Sequence, residues 1–149
     1  MYHVILALHN IVRWVVVVLG LLAVGRALMG WLGKKEWTAA ERKFGVFYTS
    51  AVDSQLLLGF LLYFVLSDIT KSAFRDFGAA MSNPGIRFFA LEHVLTMILG
   101  LVFAHLGSAL PKKAGDSQQK FSRAAIFFGL SFLIILAGIP WSRPLFPGL

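Results

Sequence analysis

The sequence predicts an all-α fold: an integral membrane four-helix up-down bundle, with a short interfacial helix between the second and third spans. Three observations predict it. Of 149 residues, 58% are hydrophobic and only 14% charged, against roughly 45–50% and about 25% in an average soluble domain. A soluble chain of this size buries only about two-thirds of its surface on folding, so it has no interior for that excess. The apolar residues fall into four long stretches, each near or above the roughly 20 residues that cross a ~30 Å hydrocarbon core. The first and third connections are short, as joins between antiparallel neighbours are. The whole chain reads as one transmembrane domain.

The first span runs from about residue 4 to 32, with Trp14 and Trp31 bracketing its purest part at the two expected interfaces. The second runs from about 44 to 66. Ahead of it, Thr38-Ala-Ala-Glu41 has the pattern of a capping box, which starts the helix near Ala39. The third runs from about 86 to 110, with Asn83-Pro84 as N-cap and first helical position and Pro111 at its end. The fourth runs from about 121 to 139, capped by Asp116 or Ser117 and stopped by Gly138 and Pro140. The connection 67–85 is longer. Its Lys71-Ser-Ala-Phe-Arg75-Asp-Phe segment mixes aromatics with charges, which suits a short helix lying on the membrane.

Charge gives the orientation. Fourteen Lys+Arg against seven Asp+Glu leave a net +7. On a soluble protein this would raise nucleic acid as a partner; here membrane topology accounts for it and no nucleic acid is expected. Lys34, Lys35, Arg42 and Lys43 with Lys112, Lys113, Lys120 and Arg123 place eight cations on one side. Lys71, Arg75 and Arg143, with Arg13 and Arg87 just inside spans, make three to five on the other. The first and third connections are therefore expected in the cytoplasm and both termini outside. The N-terminus lacks a basic n-region and the first apolar run is too long for a signal h-region, so no cleaved signal peptide is expected. The absence of cysteine excludes disulfides, thiolate metal sites and Cys nucleophiles. No Walker, HExxH or serine-triad pattern is present.

Polar and ionisable residues inside a span are costly and are functional candidates by default. Here they are His9, Asn10, Arg13 and Arg26 in the first span, Asp53 and Gln55 in the second, and Arg87, Glu92, His93 and His105 in the third. The pair His9 and His93 is the sharpest signal. The first and third helices of an up-down bundle run parallel, and at ~1.5 Å per residue the two histidines differ in depth by only about 5 Å. If both face inward, a flat cofactor fits between them, and bis-imidazole ligation of haem iron needs two neutral imidazoles on different helices. Arg13, four residues after His9, and Arg87, before His93, are placed to pair with haem propionates. The bland alternative makes His9 and Arg13 ordinary headgroup-zone residues. His3 is expected at the interface. His105 lies twelve residues beyond His93, about 18 Å away, with no partner histidine at its level. Asp53 and Gln55 suit proton or quinone chemistry, or else plain interhelical hydrogen bonds, Asp53 to Tyr48, Ser50 or His105. Glu92 suits a partner for Arg87 or Arg13, or a carboxylate that orients an imidazole.

The segments Leu8-His9-Asn10-Ile11-Val12-Arg13-Trp14, Gly30-Trp31-Leu32-Gly33-Lys34-Lys35, Gln55-Leu56-Leu57-Leu58-Gly59 and Arg87-Phe88-Phe89-Ala90-Leu91-Glu92-His93 together resemble small four-helix bacterial membrane proteins labelled cytochrome b-like. The resemblance runs from His9 to the end of the fourth span. It implies a haem-b protein of the bacterial inner membrane, with His9 and His93 at the recurrent histidines. Better-known b-type four-helix cytochromes carry two histidine pairs, and one is found here.

Three readings are open at this point. The chain is a b-type cytochrome moving electrons between a quinone pool and a partner, with Arg13 and Arg87 on the propionates. Or it is a cofactor-free accessory subunit of a respiratory or photosynthetic complex, in one variant with a histidine on chlorophyll magnesium, docking on other membrane-protein subunits. Or it is a small transporter built around Asp53. The transporter is the least expected of the three, and an electron-transfer or accessory subunit is expected ahead of a stand-alone enzyme.

Overall fold

The computed structural model describes residues 1–143. Every regular element among them is helical. Helix α1 spans Tyr2–Leu32. Its 31 residues make a rod of about 47 Å at ~1.5 Å per residue, longer than a ~30 Å bilayer core. It ends in a Schellman turn, with Lys34 N–H bonded to the Trp31 carbonyl and Lys35 N–H to the Gly30 carbonyl. The left-handed residue that this turn requires is Lys34, at φ 48°, rather than the glycine before it.

Helix α2 spans Ala39–Leu61 and runs into a π-helical turn at Leu62–Leu66. It starts where expected, after an extended Thr38, but the expected capping box does not close: Thr38 makes no side-chain cap bond. Glu41 has another partner. Its carboxylate accepts from Arg26 at both oxygens, Nη2 at 2.6 Å and Nε at 3.0 Å. A bidentate charged pair outweighs the neutral reciprocal bond of a capping box.

The connection to the third span holds two short helices, α3 (Asp68–Arg75) and α4 (Phe77–Ser82), where the sequence suggested one. They break at Asp76, which leaves helical geometry and accepts from Ala79 N–H at 2.9 Å as the cap of α4. Helix α5 (Pro84–Arg87) is capped by Asn83, whose side chain accepts from Gly85 and Ile86 N–H. A second π-helical turn, Phe88–Glu92, joins it to α6 (His93–Ala109). A 3-10 turn at Leu110–Lys113 and the Asp116 cap, accepting from Gln119 N–H at 2.8 Å, lead into α7 (Ser117–Gly138).

Four continuous helical stretches, Tyr2–Leu32, Ala39–Leu66, Pro84–Lys113 and Ser117–Gly138, are long and apolar enough to cross a bilayer. They bound the expected spans to within a few residues. They pack as a ring in which α1 lies against α2 and α7, and α6 against α2 and α7. The interior is Val16, Ala23, Ala27, Tyr48, Val52, Ala104, Phe128 and Ile135. Phe121 packs over Gly30, where a Cβ would overlap its ring. The outside is as apolar as the inside: Leu21, Leu57 and Leu133 are each more than 60% exposed. A helix that is apolar all round belongs in a core or in lipid, and this small ring has room inside for only part of each helix.

Candidate functional site

One end of the ring encloses a cavity of about 280 Å³, near the lower end of the ~300–1,000 Å³ usual for ligand pockets. His9, Arg13, Gln55, Gly59, Tyr63, His93 and Met97 line it, with Tyr2, Phe89, Pro140 and Arg143. A smaller space of about 60 Å³ shares His9, Gln55, Gly59, Tyr63, His93 and Met97, so the two histidines stand between two voids.

The histidines meet as the depth argument expected. Their ring centroids are 6.4 Å apart with planes at 69°. Gly59 makes room for His9: a Cβ there would sit 3.4 Å from His9 Cε1. His93 is fixed from α7. Its Nδ1 lies 2.8 Å from the Gly138 carbonyl. A carbonyl only accepts, so Nδ1 carries the hydrogen and Nε2 keeps its lone pair. That carbonyl is free because α7 stops at Gly138 and the next turn is interrupted by Pro140.

The two π-helical turns build the wall. Such turns release carbonyls from the regular ladder and recur at functional sites. Thr70 donates to the Tyr63 carbonyl at 2.6 Å, and Tyr63 Oη donates to the Ala90 carbonyl at 2.6 Å. The first turn is thereby tied to α3 and to the second turn.

What distinguishes the cavity is what it leaves unpaired. Three buried side-chain atoms among the described residues have no hydrogen-bond partner: His9 Nδ1, Arg13 Nε and Gln55 Oε1. All three residues line this one cavity. Buried polar groups are nearly always satisfied, and each orphan costs about 1–3 kcal/mol. A hydrogen-bond partner or metal for the imidazole, an anion for the guanidinium and a donor for the amide would complete these groups.

The other sequence candidates fall elsewhere. Arg87 donates to Glu92 at 2.7 Å, both side chains half exposed, and neither lines the cavity. Glu92 thus partners Arg87 and does not orient His93; the Gly138 carbonyl does. His105 Nε2 donates to Asp53 Oδ1 across 2.9 Å, on the exposed surface of α2 and α6. The interhelical reading of Asp53 therefore holds, with His105 as its partner. Gln55 is in the cavity. The sequence reading missed Arg143, whose guanidinium lies 4.9 Å over the Phe89 ring, and Phe89 and Pro140 beside it. The GIPW stretch after α7 was the available signal, since a proline there turns the chain back over the bundle end. Among the described residues no group of three or more His, Asp or Glu is arranged for a bare metal ion. Comparison with family models, with curated proteins and with solved structures gives no match.

Proposed function

We propose that this chain is a b-type haem-binding membrane protein taking part in electron transfer, with one haem held between α1 and α6. The observation that carries the reading is the convergence of three orphaned polar atoms on a cavity that also holds the His9–His93 pair. The donor set fits the group. His9 and His93, with ring centroids 6.4 Å apart, would be the residues to hold the iron. His93 presents Nε2 as a lone-pair atom, and His9 Nδ1 has no partner within the protein. Haem supplies one-electron redox chemistry when bound. The chain's own part is to hold the two imidazoles face to edge, with His93 fixed by the Gly138 carbonyl. Arg13 and Arg143, which line the cavity, would pair with the anionic groups of the haem, since Arg87 is already committed to Glu92.

The setting of this reading is an up-down bundle in the bacterial cytoplasmic membrane, both termini outside, with a quinone pool or a neighbouring subunit exchanging the electron. Lys/Arg asymmetry supports the orientation, and the likeness to cytochrome b-like proteins supports the haem. A second reading, an accessory subunit with no cofactor or with a chlorophyll-type pigment, is favoured by one observation. The Asp53–His105 pair is half exposed, with exposed Leu57 and Val102 one turn away along the two helices, and ionisable residues rarely face lipid. A neighbouring subunit covering that pair accounts for it.

The test is the absorption spectrum of protein purified in mild detergent from its native membrane, oxidised and then reduced with dithionite. A sharp reduced α-band with a shifted Soret peak is expected. Colourless, monodisperse protein would overturn the haem reading and leave the accessory subunit.

A further inference from the structure

The other end of the ring holds a second cavity, which the haem reading does not use. Its volume is about 430 Å³, and it opens between the start of α2, the end of α6 and the first turns of α7. Arg42, Lys112 and Lys120 line it, together with one carboxylate, Glu41. Glu41 is neutralised by Arg26 through two bonds. None of the three cations takes part in an ion pair among the described residues. A concave space with low-dielectric walls focuses such charge. The same space receives the start of α2, where Thr38 offers no side-chain cap and first-turn N–H groups await an acceptor.

We propose that this cavity binds the phosphodiester headgroup of an anionic phospholipid. One guanidinium and two ammonium groups suit a single phosphate, the first as a two-point fork and the others as point charges. A phosphate could come from a lipid or from solution, and the walls favour the lipid. The deep side of the cavity is built from Gly45, Gly107 and Phe128, with the Ser108 hydroxyl already bonded to Thr49 and Gly45, and its rim includes Val46. Val46 and the adjacent Phe47 are 45% and 55% exposed, so the mouth of the cavity on α2 opens beside apolar surface. An acyl chain can lie against that surface, and a soluble anion gains nothing from it. Basic pockets at the ends of membrane helices are where anionic headgroups bind. The inference rests on the membrane reading of the four helices and not on what the histidine cavity holds.

Native mass spectrometry of the full chain in detergent, titrated with phosphatidylglycerol, phosphatidylcholine or inorganic phosphate, tests it. Phosphatidylglycerol is expected to bind in preference to the other two. R42Q/K112Q/K120Q is expected to weaken that binding about a hundredfold, from the loss of three phosphate-facing cations. K35Q/K43Q/K113Q, which removes three exposed cations of the same end that do not line the cavity, is expected to leave it within about twofold. Equal binding of phosphatidylglycerol and phosphatidylcholine overturns the site. Inorganic phosphate binding as well as phosphatidylglycerol overturns the lipid assignment. Equal losses in the two triple variants reduce the effect to general charge and also overturn it.

Discussion

Two polar regions of the same ring are built on opposite terms. In the middle, Tyr48 Oη and Ser131 Oγ are 2.9 Å apart, and Ser131 also donates to the Gly100 carbonyl at 2.7 Å. Beside them Thr49 donates to the Gly45 carbonyl at 2.8 Å and meets Ser108 at 2.7 Å. Tyr48 and Ser131 are completely buried, and both are paired. A few turns along, His9, Arg13 and Gln55 each keep a buried atom without a partner. In the sequence only the second group stood out, as costly residues inside apolar spans. The difference is that the first group completes the fold and the second group does not complete itself. An unpaired group in a native interior calls for a specific explanation, and the proposed ligand would supply partners for all three.

That contrast can be broken in several places. The largest expected effect is His9→Ala, which removes a lone-pair donor and should abolish or strongly shift the haem spectrum while the chain still folds. An unchanged spectrum in both His9→Ala and His93→Ala would refute the assignment of the pair. Next is Gly30→Ala, in the packed region. Its Cβ would overlap the Phe121 ring, so overpacking should cost about 1–3 kcal/mol, read as a lower melting temperature in detergent with the spectrum retained. Ser131→Ala leaves Tyr48 Oη and the Gly100 carbonyl each short of a bond and should cost about 1 kcal/mol. Gln55→Leu sharpens the comparison from the other side. It deletes an orphan acceptor, so the ligand-free protein should be no less stable, while pigment retention falls. A drop in ligand-free stability as large as that of Ser131→Ala would show that Gln55 belongs to the packed class. The smallest effect is Asp53→Asn. Its partner His105 is half exposed, and such pairs contribute at most about 1 kcal/mol, so a thermal melt should barely move.

Much of this was legible in the residues. Apolar runs gave the four helices, because no soluble core of this size absorbs them. Asn83 and Asp116 gave two helix starts, because their side chains reach N–H groups two or three residues on. Depth counting along two helices brought His9 level with His93. What could not be read depends on rotation and on distant partners. Thr38-Ala-Ala-Glu41 has the pattern of a cap, yet Arg26 on α1 takes the carboxylate. Arg87 and Arg143 are both cations on the same side by counting, and only the turn at Pro140 puts the second one on the cavity. The π-helical turns at 62–66 and 88–92 have no composition of their own. They exist because Tyr63 and Thr70 supply hydroxyls to the carbonyls that those turns release. The Gly138 carbonyl that fixes His93 is set by where α7 stops, which Gly138 and Pro140 did mark, but its aim is a matter of packing.

The most direct measurement is a reduced-minus-oxidised difference spectrum of His93→Ala beside Ser131→Ala, expressed and purified together. Both changes remove a buried hydrogen bond between α6 and α7, one in each polar region. The account predicts that His93→Ala loses the haem α-band and that Ser131→Ala keeps it at lower thermal stability. An α-band retained in His93→Ala, or lost equally in both, would contradict it.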